Sequence, residues 1–150
     1  MHLWLLWQTK KETYFCNSMQ TTQRYFLKKE DRLKSRKAID FLFSKGKSFS
    51  NFPFRICWQV VDGEEGLKAG FTASSKNFKK ATDRNRIKRL IREAYRLQKN
   101  NLQDALQLKN KGVHLFFIYT GKEVPTYEVV FEKTGNVLKR IIKLLDEVVE

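Results

Sequence analysis

Arg84-Asn85-Arg86-Ile87-Lys88-Arg89-Leu90-Ile91-Arg92-Glu93-Ala94-Tyr95-Arg96 decides how this chain is read, because it is at once a helix, a core element and a concentration of charge. On a wheel at about 100° per residue, Leu90, Ile91, Ala94 and Gln98 fall within about 60° of Ile87. Asn85, Arg89, Arg92 and Arg96 gather at the opposite pole, with Lys88 and Lys99 beside them and Arg84 and Arg86 on the flanks. The apolar stripe predicts a helix from about Thr82 to Lys99 with one side in a core. An ordinary solvated side would mix signs, yet only Asp83 and Glu93 stand against seven bases between Arg84 and Lys99. Like charges one turn apart destabilise an isolated helix by some tenths of a kcal/mol each, so this face calls for an external anion. Arginine predominates, which suits bidentate contacts to phosphate better than the diffuse field of a membrane.

Working outward from the helix, the flanking segments read as strands. Phe54, Ile56, Trp58 and Val60 alternate with Arg55, Cys57 and Gln59, a half-buried strand. Asp62-Gly-Glu-Glu-Gly66 is a turn-rich link to a second strand, Leu67 to Ala73, and the two are expected to form a hairpin. After the basic helix comes a short continuation, Asn101 to Leu108, then Lys111-Gly112 and the apolar run Val113 to Tyr119, a strand buried on both faces. Before the first strand, Ser35 caps a short helix carrying Ile39, Leu42 and Phe43, which Gly46 stops, and a further strand is expected near Lys47 to Phe49. Pro125 and Thr126 open a last helix in which Val130, Val137, Leu138, Ile141, Leu145 and Val148 keep a 3.6-residue period despite Gly135. The expectation is one α+β domain over residues 26–150, in αβββαβα order.

Composition narrows the function. The chain carries a formal charge of +14 on 150 residues. Residues 26–50 supply +5 and residues 76–100 supply +8, so the charge is a footprint and not a general coating. Cys16 and Cys57 read as free thiols of a reduced compartment, and His2 and His114 have no companion ligands at metal-binding spacing. No metal site and no catalytic residue is expected on the protein: the acids are scattered, and no His pair is available for acid–base work. Gly46-Lys47-Ser48 ends like a phosphate loop, but Phe41 stands where its upstream glycine is needed. Leu3 to Trp7 is too short to cross a bilayer, so no membrane partner is expected. No helix-turn-helix pair precedes the basic helix, so DNA is not expected either. Residues 1–25, with two tryptophans beside a polar tract, are read as an extension outside the domain, either disordered or upstream of a true start at Met19.

Arg84 to Ala94 closely resembles the RNR signature helix of the bacterial ribonuclease P protein component. The likeness extends in register to Arg32-Leu33-Lys34-Ser35, Phe43-x-x-Gly46, Ala69-Gly70-Phe71-Thr72-Ala73-Ser74 and Val113 to Tyr119, covering about residues 26–149. It departs where Ser75 replaces a common lysine, where Asn77-Phe78-Lys79-Lys80 replaces a glycine-containing turn, and where Ile39 and Cys57 replace common aromatics.

The resemblance implies a four-stranded mixed sheet with a left-handed βαβ crossover around the basic helix, and a cytoplasmic protein subunit that assists a catalytic RNA in removing the 5′ leader from precursor tRNA. The partners implied are that RNA and precursor tRNA, with Mg²⁺ held mainly by the RNA and none by the protein alone. Lys76, Lys79, Lys80, Arg84, Asn85, Arg86, Lys88, Arg89, Arg92 and Arg96 would contact the large RNA. Arg32, Lys34, Ile39, Phe43, Arg55, Cys57 and Gln59 would line a groove for the single-stranded leader. The alternative is a generic basic RNA-binding or ribosome-associated protein with no part in leader cleavage.

Overall fold

The apolar run at residues 112–119 takes an interior place in the sheet, as a strand apolar on both faces must. A computed structural model describes residues 25–63 and 66–149; the expectations for residues 1–24 lie outside them. In chain order the elements are α1 (Arg36–Lys45), β1 (Lys47–Asn51), β2 (Phe54–Val61), β3 (Gly66–Ala73), α2 (Ala81–Gln98), α3 (Asn100–Lys109), β4 (Gly112–Tyr119) and α4 (Tyr127–Val149). The four strands form one mixed sheet in the order β1-β2-β4-β3. β4 runs antiparallel to β2 and parallel to β3, each over eight residues.

This order corrects the expected hairpin: β2 and β3 follow one another in sequence, but β4 lies between them. The hairpin in the sheet is β1–β2, with Lys47 opposite Trp58 and Asn51 opposite Phe54. Sequence adjacency favours pairing only on average. Here burial decides: Val113, Leu115 and Phe117 are fully buried on one face of β4, and Phe116 and Ile118 pack beneath α1 on the other. The free edge of β3 is covered by the chain before α1, where Ala69 donates to the Asp31 carbonyl and Leu33 to the Ala69 carbonyl, each at 2.9 Å.

The sheet separates two apolar clusters. Phe54, Ile56 and Trp58 join Ile87, Ile91, Ala94, Tyr95, Val137 and Ile141 in the larger one, so α2 and α4 share that face. Leu33, Leu42 and Cys57 form the smaller one under α1. Ser35 caps α1 as expected, accepting from the Ala38 amide at 3.5 Å. The expected continuation after α2 is a separate helix, α3, ended by Asn110 at φ +50°, a left-handed conformation that asparagine tolerates. Gly135, an interruption in the sequence pattern, makes room for Gln98: a Cβ there would stand 2.4 Å from Gln98 Oε1. The Gln98 amide instead crosses to donate to the Phe131 carbonyl at 2.9 Å, tying α2 to α4.

Candidate nucleic-acid interface

Burying Ile87, Ile91, Ala94 and Tyr95 turns the basic side of α2 outward. Asn85, Arg86 and Arg89 are exposed, and Lys88 and Arg92 are partly so. Among the described residues, none of Arg86, Lys88, Arg89 and Arg92 forms an ion pair with an acid. Burial, followed by the charges of Arg32 and Arg89, pushes the Arg92 pKa down. The repulsion read from sequence is therefore present in the fold.

The loop before α2 is fixed by its uncharged members. Asn77 Nδ2 donates to the carbonyls of Thr120 and Gly121, at 2.9 and 3.1 Å. Phe78 is buried against Tyr119, ring centroids 5.9 Å apart. Lys76, Lys79 and Lys80 are left exposed around these two anchors. Lys80 caps α2 without a side-chain bond; Arg84 folds back instead, donating from Nη1 to the carbonyls of Phe78 and Lys79, both at 2.7 Å. Arg84 thus braces the loop. The loop at residues 77–80, where the sequence departs from the glycine-containing turn, is anchored by Asn77 and Phe78 and braced by Arg84.

Two bases at the end of the run are engaged. Lys99, expected beside the cationic pole, is 4% exposed, and its Nζ lies 2.7 Å from Asp31 Oδ2. That is a correction: Lys99 is part of the interior. Arg96 forks onto Glu93, Nε to Oε2 at 3.0 Å and Nη2 to Oε1 at 2.5 Å, and its Nη1 reaches the Tyr25 carbonyl at 2.5 Å. The Arg96 hydrogen bond is the main reason the Glu93 pKa falls below its usual range.

The second surface lies on the α1 face of the sheet. The register lines up three rows across β2, β4 and β3, with the β4 residue in the middle of each: Arg55–Ile118–Thr72, Cys57–Phe116–Gly70 and Gln59–His114–Lys68. Phe43 leans from α1 with its ring edge-on to Phe116, centroids 5.1 Å apart. Gly70 allows this, since a Cβ there would stand 2.4 Å from the Phe116 ring. Phe43 and Arg55 are exposed, Ile39 and Gln59 are half-buried, and Cys57 is sealed under Leu33 and Leu42. Burial raises the Cys57 thiol pKa, partly offset by Arg55. Cys57 is floor, not lining. Lys34 faces a cleft with Lys68 and His114 at the start of α1. Arg32 stands at the sheet edge, where it borders that cleft and also a second one with Arg89 and Arg92. Phe116, Ile118, Lys68 and His114 were not foreseen as groove residues; a period of two within 113–119, set against β2, carries that signal.

Fold and surfaces together define a class, a basic α+β protein with one cationic helical face and one aromatic-floored groove, arranged to meet an extended polyanion. Comparison with known proteins gives the family. A family profile described as Ribonuclease P matches residues 27–143. The chain is 33% identical over 125 residues to the ribonuclease P protein component of Porphyromonas gingivalis, covering 82% of this chain and 91% of that one. It is 42% identical over 120 residues to that of Chlorobaculum tepidum, covering 73% and 78%. The RNase P protein of Thermotoga maritima superposes with a TM-score of 0.56 at 30% identity, covering 73% of this chain and 96% of that one. A Staphylococcus aureus RNase P protein mutant shares the fold at a TM-score of 0.62 and 23% identity, covering 75% and 89%. The chain belongs to the bacterial ribonuclease P protein component family. That membership makes it a participant in ribonuclease P and so in tRNA processing. Among the described residues no helix is long and apolar enough to cross a membrane.

Proposed function

We propose that the chain binds the catalytic RNA of ribonuclease P through the outward face of α2 and the loop before it, and holds the 5′ leader of precursor tRNA in the groove beneath α1. The observation that carries this reading is that Arg86, Arg89 and Arg92 on α2 have no carboxylate partner among the described residues. Lys76, Lys79, Lys80, Asn85, Arg86, Lys88, Arg89 and Arg92 supply phosphate contacts. Arg84 holds the loop that presents the lysines, and Arg96 stands at the far end of the row. In the groove, Phe43, Phe116 and Ile118 offer apolar and aromatic surface on which unpaired bases stack without regard to sequence, while Arg55 and Lys34 lie where backbone phosphates pass. Single-stranded RNA suits such a floor because its bases are free to splay; a duplex hides them.

The protein's contribution is positioning and charge, which lowers the cost of bringing two RNAs together. On this reading the hydrolytic Mg²⁺ is held mainly by the RNA. On the same reading the protein acts in the cytoplasm, where its precursor tRNA substrate is found. Full-length protein mixed with cognate ribonuclease P RNA and precursor tRNA at low Mg²⁺ should raise 5′-leader cleavage. Neutralising about six phosphates should give a log–log salt slope of about −4 to −5 for binding the large RNA. Steep salt dependence with no rise in cleavage would instead make this a generic RNA binder.

A further inference from the structure

Between residues 26–32 and α2 lies a cleft of about 470 Å³, walled by Phe26, Arg32, Arg89, Arg92 and Arg96, with Glu93 the one acid among the described residues of its lining. That volume is in the range of sites that take small organic molecules. Glu93 is already held by the Arg96 fork, so it does not neutralise the rest. Three guanidiniums from two separate elements remain, Arg32 from the sheet edge and Arg89 and Arg92 from the helix. Their proximity opposes folding until an anion enters.

Arg32 is held there on both sides. The backbone bonds of Asp31 and Leu33 to Ala69 bracket it. The Asp31 carboxylate accepts from buried Lys99 at 2.7 Å and from the Lys28 amide at 3.1 Å. Leu33 turns into the cluster under α1, and Arg32 beside it borders the α2-side cleft as well as the one at the start of α1. At the rim stands Phe26, 65% exposed. A large aromatic side chain in water beside arginines is a stacking platform next to phosphate-binding groups.

We infer that this cleft is a nucleotide subsite, taking one backbone phosphate of unpaired RNA on Arg32, Arg89 and Arg92 and the adjoining base on the ring of Phe26. The inference rests on the reading of α2 as an RNA-binding face. It adds Phe26 to that face and gives Arg32, which borders both clefts, a role there. Planar guanidiniums match the phosphate oxygens in pairs, and the ring accepts any base.

The nucleotide belongs either to the large RNA or to the leader, and the test separates them. Arg32→Gln, Phe26→Leu and Phe26→Trp are made in the full chain, with unchanged circular dichroism and urea midpoint as the control for folding. Affinity is measured for ribonuclease P RNA across a salt series, and for precursor tRNA with a short or a long leader in the reconstituted holoenzyme. Arg32→Gln should weaken binding about tenfold and reduce the salt slope by about 0.7 to 0.9. Phe26→Leu should weaken it about tenfold with the slope unchanged, and Phe26→Trp should retain wild-type affinity. Losses seen with the large RNA assign the nucleotide to it, and losses seen only with the long leader assign it to the leader; both support the subsite. Wild-type affinity in Arg32→Gln or Phe26→Leu, or a loss in Phe26→Trp equal to that in Phe26→Leu, overturns it while a steep wild-type salt slope leaves the α2 reading standing. A flat wild-type slope overturns both.

Discussion

On the outward side of α2, Arg86, Arg89 and Arg92 stand without a carboxylate partner among the described residues, whereas on the α1 side of the sheet the groove is built by packing: Phe43 on Phe116, Phe116 over Gly70, and Cys57 closed off by Leu33 and Leu42. The first surface costs stability and is completed by what it binds. The second is complete in the protein alone, and its shape is part of the fold. Mutations should therefore separate them, changing affinity without stability on α2 and both together in the groove.

The largest effect should come from Arg89→Glu combined with Arg92→Glu. Loss of two charge-assisted contacts plus new repulsion should lower affinity for the large RNA about a hundredfold or more. Stability should stay within about 0.5 kcal/mol of wild type, because no partner inside the protein is lost. Salt-series binding and urea unfolding measure the two. A strongly destabilised double variant would mean that the face is answered from within the protein.

Asp31→Ala tests the contrast at the C-terminal end of α2, where the segment before α1 pairs with Lys99. It leaves the Lys99 ammonium buried and unpaired, and should cost about 3 kcal/mol in urea unfolding. Lys99→Met removes the buried charge and keeps the apolar stem, so it should cost less than half as much. Equal costs would mean that the pair itself, and not the desolvated charge, holds residues 28–33 to α2. In the groove, Gly70→Ala forces a methyl against the Phe116 ring and should cost about 1–3 kcal/mol. It should also weaken binding of leader-bearing substrate more than of substrate without a leader. Loss of stability with no change in leader discrimination would remove Phe116 from the groove's working surface.

What the sequence made legible divides along the same line. Charge and helical period are local properties, so the core stripe Ile87, Ile91 and Ala94 and the guanidinium row opposite it could be read directly. Tyr95, about 80° from Ile87 on the wheel, fell just outside the stripe, although its ring belongs to the core. Lys99 continued the basic pattern, but its environment depends on Asp31, 68 residues away, which no wheel contains. The insertion of β4 between β2 and β3 is likewise non-local. The apolar run at 113–119 announced burial on both faces, and an interior position follows from that, yet adjacency in sequence argued for pairing β2 with β3. Once β4 is misplaced, Phe116 and Ile118 cannot be seen to share a face with Arg55 and Cys57.

The smallest expected effect concerns Glu93, the acid beside the otherwise unanswered row. Its carboxyl pKa is held below the usual range chiefly by the hydrogen bond from Arg96. A carboxylate with a depressed folded-state pKa contributes stability that is present above its unfolded value. That contribution is lost as pH falls through the folded value. Wild type should therefore exceed Glu93→Gln slightly in stability near neutral pH, and the margin should close as pH falls below the ordinary glutamate range. The Glu93 side chain is about half exposed and that of Arg96 about a third, so solvent screening keeps the margin small. Affinity should move the other way: with Glu93 neutralised, Arg96 is released to phosphate and the local field becomes more positive, so Glu93→Gln should bind the large RNA more tightly and with a steeper salt slope. If Glu93→Gln binds more weakly, the fork is orienting Arg96 for its contact, and the end of the row is preorganised like the groove.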